Sequence, residues 1–178
     1  MGPEWSRMIA EAQASGRQVV LAITGGGTGA IAEVLRVPGG SRLLLEAVVP
    51  YEPRSLAEFL GSAPAQACSA ETARAMAVRA RVRAATLAQP KALPIGLGAT
   101  ASLASDRPKR GEHRCHIAVS SYAATDSISI VLAKGRRDRP GEEDLVARAI
   151  VLCLIRGCGV SAPSPETLLD AGDTLSEG

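Results

Sequence analysis

Short apolar runs alternate with helical periodicities along the chain. Trp5, Met8, Ile9 and Ala12 recur at helical spacing and predict a helix from Trp5 to Ala14, stopped by Gly16. Gln18 to Ile23 (QVVLAI) is continuously apolar and rich in β-branched residues, the pattern of a strand buried on both faces. Thr24-Gly25-Gly26-Gly27-Thr28-Gly29 follows as a turn, and a helix from Ala30 to Val37 ends at Pro38-Gly39-Gly40. Leu43 to Val49 (LLLEAVV) is the next strand, and Pro53 to Leu60 a short helix with proline in its first turn. Ser69 caps a long helix to about Leu87, with Ala73, Met76, Ala77, Ala80, Ala84 and Leu87 on its apolar face.

Leu93 to Leu97 predicts a third strand, and Ala99 to Gly111 a polar, basic loop. Cys115 to Ser121 and Ser127 to Ala133 alternate in polarity and predict a hairpin over Tyr122 to Asp126. Pro140 opens the last helix, with Glu142, Glu143 and Asp144 in its first turn. Arg156 and Gly157 close it, the order that suits the helix dipole. Helices interleaved with strands, followed by a hairpin, predict an α/β fold: a three-layer α/β/α sandwich with a mixed β-sheet. Residues 1–159 form one domain on this reading. Residues 160–178, small, polar and acidic, are expected to be a flexible tail or linker.

Composition narrows the function. The chain has 178 residues, 46% hydrophobic but only 2% aromatic, so Ala, Val, Leu and Ile must fill its core. So few aromatics cannot stack single-stranded nucleic acid. A net charge of +2 implies neither a nucleic-acid nor a membrane partner. No apolar run reaches the roughly 18 residues of a membrane span, and the polar amphipathic start is not a signal peptide. Cys68, Cys115, Cys153 and Cys158 sit far apart in apolar segments, as reduced thiols of a cytoplasmic protein would.

The chemistry is concentrated in a few places. A glycine-rich turn entering a helix presents backbone N–H groups where the helix dipole is positive, which favours phosphate or carboxylate. Gly25, Gly26, Gly27 and Thr28 are therefore candidate ligand contacts, with the Thr24 hydroxyl beside them. The bland alternative is a turn kept small for close strand–helix packing. Gly25-x-Gly27-x-x-Ala30 matches the dinucleotide fingerprint, with Glu46 about where its acidic partner would stand. No Gly-Lys-Ser/Thr follows, which excludes a P-loop. Glu46 inside LLLEAVV needs a partner, an edge or a cavity. Thr100, Ser102, Lys109 and Arg110 lie in a stretch able to clamp a phosphate. In His113-Arg114-Cys115-His116, a strand turns His113 and Cys115 one way and His116 the other, so no single metal ion is served. No metal and no cofactor are expected. Neither a Ser-His-Asp triad nor a G-x-S-x-G elbow is present.

Four ordered blocks carry a resemblance: TGGGTGAIAEVLRVPGGS (Thr24 to Ser41), EAVVPY (Glu46 to Tyr51), CSAETARAMA (Cys68 to Ala77) and GATASLASDRPKRGEHRCHIAV (Gly98 to Val119). The chain resembles the CinA C-terminal domain family, which includes nicotinamide-nucleotide amidases. The resemblance covers about Val19 to Cys158. It implies an α/β/α fold, a nucleotide or related phosphorylated metabolite as ligand, and oligomerisation. Active members remove ammonia from nicotinamide mononucleotide. The family serine falls on Thr24 and its preceding acid on Ile23. The family tyrosine falls on Tyr51, and its activating lysine near Leu56. A last-helix arginine falls near Val146 or Arg148. Gly98-Ala99-Thr100-Ala101-Ser102-Leu103 replaces the family Thr-Gly-x-Ala-Gly-Pro loop. The expectation is a binding domain with a divergent active site. One alternative is an amidohydrolase using Thr24 with Tyr51 or Glu46, the latter as a base whose pKa burial would raise. The other is a non-catalytic interaction domain. The alanine-rich helix at Ala70 to Ala85 suits packing between subunits of a homo-oligomer.

Overall fold

The structure, a computed structural model, describes residues 2–107 and 110–178. The alternation along β1 (Arg17–Thr24) sets its layers. Val19, Leu21 and Ile23 turn to one face, where they join Met8 and Ile9 of α1 (Pro3–Gln13), Val34 of α2 (Gly29–Arg36) and the apolar stripe of α5 (Arg139–Gly157). Val20 and Ala22 turn to the other, against Leu56 of α3 (Pro53–Leu60) and Met76, Ala80 and Ala84 of α4 (Ala70–Leu87). Helices on both faces of one sheet make three layers.

The sheet runs β2-β1-β3-β4-β5-β6. β1 pairs in parallel with β2 (Leu44–Val48) and β3 (Leu93–Ser102). β4 (His113–Ser120), β5 (Thr125–Leu132) and β6 (Thr174–Glu177) add antiparallel, so the sheet is mixed. α2 connects β1 to β2 on one face, while α3 and α4 connect β2 to β3 on the other. Strands whose connections leave on opposite faces open a crevice at their carboxyl ends. Thr24 and Thr100 are register partners at that edge. Among the described residues no helix is long and apolar enough to cross a membrane.

Three expectations are corrected. The alanines of α4 are used within the chain. Ala73, Ala77, Ala80 and Ala84 are fully buried against the chain's own sheet. A Cβ at Gly96 would lie 2.1 Å from the Ala77 carbonyl oxygen, and one at Gly98 2.3 Å from that of Ala73, so α4 rests directly on the β3 backbone. β3 also runs through Ser102 instead of ending at Leu97, because β1 and β4 pair with it on both sides. Finally, the presumed tail contains a 3-10 turn (Pro165–Leu168) and the edge strand β6. Asp173 anchors it, accepting from Arg137 Nη2 at 2.6 Å and the Ala133 amide at 2.8 Å, and Leu175 packs on the core.

Candidate functional site

The glycine turn is shaped by its neighbours. Gly25 and Gly27 adopt φ of +77° and +88°, the left-handed region that favours glycine. A Cβ at Gly25 would stand 1.9 Å from the Ala101 carbonyl oxygen, one at Gly26 2.5 Å from Leu103 Cδ1, and one at Gly27 2.5 Å from Ile150 Cδ1. The glycines thus let the turn nest between the end of β3 and the side of α5. The turn does hold an anion, and that anion is the chain's own. The Gly27 and Thr28 amides donate to Glu143 Oε1 at 2.8 and 2.9 Å, and Thr28 Oγ1 donates to the same oxygen at 3.2 Å. Arg139 completes the seat. It donates to the carbonyls of Gly25 at 3.0 Å and Ala104 at 3.2 Å, and lies 3.7 Å from the second oxygen of Glu143.

One residue before Glu143, Glu142 is wholly buried. Its two oxygens take the Ala104 amide at 2.6 Å and His113 Nδ1 at 2.7 Å. The start of α5 therefore ties together the glycine turn, the segment after β3 and the first residue of β4. In the sequence, these acids read only as partners of a helix dipole. The signal that could have exposed them is a pair of adjacent carboxylates one turn before the uniformly apolar AIVLCLI stretch, Ala149 to Ile155.

The hydroxyls expected to act on a ligand are turned inward. Thr24 Oγ1 donates to the Pro50 carbonyl at 3.0 Å, and Thr100 Oγ1 to that of Ala67 at 2.8 Å. Each fixes the loop that crosses its strand end. Tyr51, next to Pro50, is 65% exposed. Leu56, at the position matched to the activating lysine, is buried among Val20, Ala22 and Met76. Ser102 ends β3 opposite Arg114. Arg110 is exposed, and its carbonyl accepts from Lys134 Nζ at 3.1 Å. Lys109 lies outside the described residues.

Glu46 stands opposite Val20, four residues before Thr24, so its backbone is offset from that of Thr24 by about 13 Å along the strands at 3.3 Å per residue. Arg83 grips it with two bonds of 2.9 and 3.1 Å. The hydrogen bond from Arg83 holds the Glu46 carboxyl below the usual range, outweighing its partial burial. The expected burial-raised base is thus corrected to an ion-paired carboxylate. The pair floors an open groove of about 630 Å³ walled by Val49, Phe59 and Val82.

Tertiary structure also assembles what spacing concealed. Thr24, Thr100, His116, Ser129 and Ser176 are successive register partners and form one polar row across five strands. His116 Nδ1 lies 2.7 Å from Ser129 Oγ. Burial, reinforced by Arg114, lowers the His116 pKa against a smaller opposite pull from Glu71. Among the described residues, no three His, Cys, Asp or Glu side chains converge as a metal site would require.

No family model and no curated protein matches the chain. Solved structures do. The competence/damage-inducible protein CihA of Agrobacterium tumefaciens superposes with a TM-score of 0.68 at 18% identity, over 86% of this chain and 93% of that one. A competence-damaged protein (CinA) superfamily protein of Enterobacter cloacae gives 0.64 at 14% identity, over 88% and 89%. The competence damage-inducible protein A of Klebsiella pneumoniae gives 0.66 at 17%, over 88% and 94%. At such identities the likeness is one of architecture, and by that measure the chain has the fold of the CinA superfamily.

Proposed function

We propose that this chain is a CinA-fold domain whose amidase centre is closed, so that it works by binding a nucleotide or related phosphorylated metabolite and not by hydrolysis. The Glu143 carboxylate on the glycine turn carries this reading. That carboxylate already holds the amides an oxyanion would need for hydrolysis, so the turn offers no anion hole, and a phosphorylated ligand is held away from it. The chemistry beside the turn agrees. The Thr24 hydroxyl is committed to a backbone carbonyl, and its register partner is a second hydroxyl, that of Thr100. A hydroxyl without an adjacent base is a weak nucleophile near neutral pH. The test is ammonia release from nicotinamide mononucleotide, run beside a thermal-shift titration with the same compound. The expected result is release at background in the parent and in Thr24→Ala alike. Robust release that Thr24→Ala abolishes would replace this reading with an amidohydrolase.

A further inference from the structure

The groove beside the edge strand β2 takes no part in the chemistry around Thr24. It opens between β2, α3 and α4, and its volume of about 630 Å³ is within the range of small-molecule sites. Its walls are apolar. Val49 and Val82 line it and are 43% and 47% exposed, so each leaves hydrocarbon surface in water. Phe59, the chain's one phenylalanine, lines it as well and is backed by the cluster of Val20, Leu56 and Met76. A ligand that covers these three side chains removes apolar area from water.

Glu46, Glu58, Arg79 and Arg83 line the same groove, and two of them satisfy each other. Arg83 holds Glu46 through two bonds. Arg79 lies four residues before Arg83 on α4, hence on the same side of the helix. Its Nε donates to the Phe59 carbonyl at 3.1 Å, an anchor that leaves its two terminal nitrogens to bind something else. Glu58 sits in the last turn of α3, where the helix carbonyls add partial negative charge to its own. Neither Arg79 nor Glu58 forms an ion pair among the described residues, although Glu58 adjoins the very residue that anchors Arg79. An unpaired cation and an unpaired anion thus share one apolar groove.

We propose that this groove binds a small zwitterion with an apolar side chain, a free α-amino acid. The ligand carboxylate lies on the Arg79 guanidinium, whose planar fork matches it. The ligand ammonium is held by Glu58 and the C-terminal carbonyls of α3. The ligand side chain covers Val49, Phe59 and Val82. The four charges that line the groove sum to zero, which disfavours a polyanion and an organic cation alike. The groove includes neither Thr24 nor the turn filled by Glu143, so this site and the proposed function can each fail without the other.

The test is an NMR titration of the full chain, observed on its own amides, with L-leucine and L-phenylalanine. At least one should bind at millimolar concentration or below and shift the amides of Val49, Phe59 and Val82. The amide of that amino acid lacks the carboxylate, and its N-acetyl form lacks the ammonium. Each should bind at least about 10-fold more weakly, the scale of one lost charge-assisted hydrogen-bond pair. Arg79→Gln should weaken the amino acid about 10-fold and leave its amide unchanged. Glu58→Gln should weaken the amino acid to a similar extent and leave the N-acetyl form unchanged. A variant that merely loosens the fold would weaken all three compounds alike. If Arg79→Gln does not fold, Glu58→Gln carries the test, since its side chain has no partner to lose. The site is overturned if neither amino acid binds at millimolar concentration, if the amide and N-acetyl forms bind as tightly as the parent compound, or if both variants bind it like the unaltered chain.

Discussion

Glu143 reaches from the first turns of α5 to Thr28 and bonds both its amide and its hydroxyl through a single oxygen, at 2.9 and 3.2 Å. A site that sequence presents as open to an outside anion is satisfied from within, by a residue more than a hundred positions away. The bond also joins the N-terminus of α2 to the start of α5, so it positions two helices of the same layer.

Removing Glu143 should therefore be felt as lost stability. Glu143→Ala leaves the Gly27 and Thr28 amides without their acceptor, at a cost of about 1–3 kcal/mol for partly buried donors. Glu143→Gln keeps an acceptor oxygen and should cost less than half as much. Urea denaturation measures both, and equal midpoints for parent and Glu143→Ala would show that the turn needs no internal anion.

The contact between α4 and β3 gives a sharper test of packing. Gly98→Ala places a Cβ 2.3 Å from the Ala73 carbonyl oxygen, where only backbone movement makes room. Overpacking of this kind typically costs about 1–3 kcal/mol, and a rigid helix backbone puts this site at or above the top of that range. Gly61→Ala is the comparison, since φ is +88° there but no atom lies within 4 Å. It should cost only about 1 kcal/mol, the penalty of the left-handed conformation. Thermal unfolding of the two variants should rank them in that order.

Acid should loosen the last strand first. Burial pushes the Asp173 carboxyl up, but the bonds from Arg137 and from the Ala133 and Asp170 amides outweigh it and hold the pKa below its ordinary 3.8. A carboxylate with a lowered folded pKa contributes fully above its unfolded value, and loses that contribution as pH falls through the folded one. Stability should thus decline below about pH 4, and Asp173→Asn should flatten that limb while lowering the plateau at neutral pH. A variant with an unchanged acid limb would show that the Arg137–Asp173 pair does not anchor β6.

The cysteines should be chemically quiet. Burial pushes the Cys153 thiol up to about 12 and Cys158 up to about 11, and raises Cys115 as well. Thiolate is the reactive form, so these three should react with a disulfide reagent at pH 8 only after denaturation. Fast labelling of Cys115 in the native protein, read by peptide mass, would contradict the packing of β4 against α5.

Much of the architecture was legible because it rests on local rules. The continuous apolar run of β1 marks a strand covered on both faces, and the helical stripe of α4 shows which side of that helix faces inward. Ser69 at the head of α4, with its oxygen accepting from the Thr72 amide, marks the boundary where the sequence reading put it. β6 was not legible, because its Thr-Leu-Ser-Glu pattern is weak, and it forms only where β5 offers an edge and Arg137 a partner for Asp173. The site divides along the same line. Sequence determined that the turn from Thr24 to Gly29 would expose amides to an anion, since that follows from glycine, backbone and dipole. Tertiary structure decided that Glu143 would be that anion and that Arg83 would hold Glu46, about four strand residues along the sheet from Thr24. Those outcomes depend on which strands become neighbours, and charges attract across space without regard to their separation along the chain.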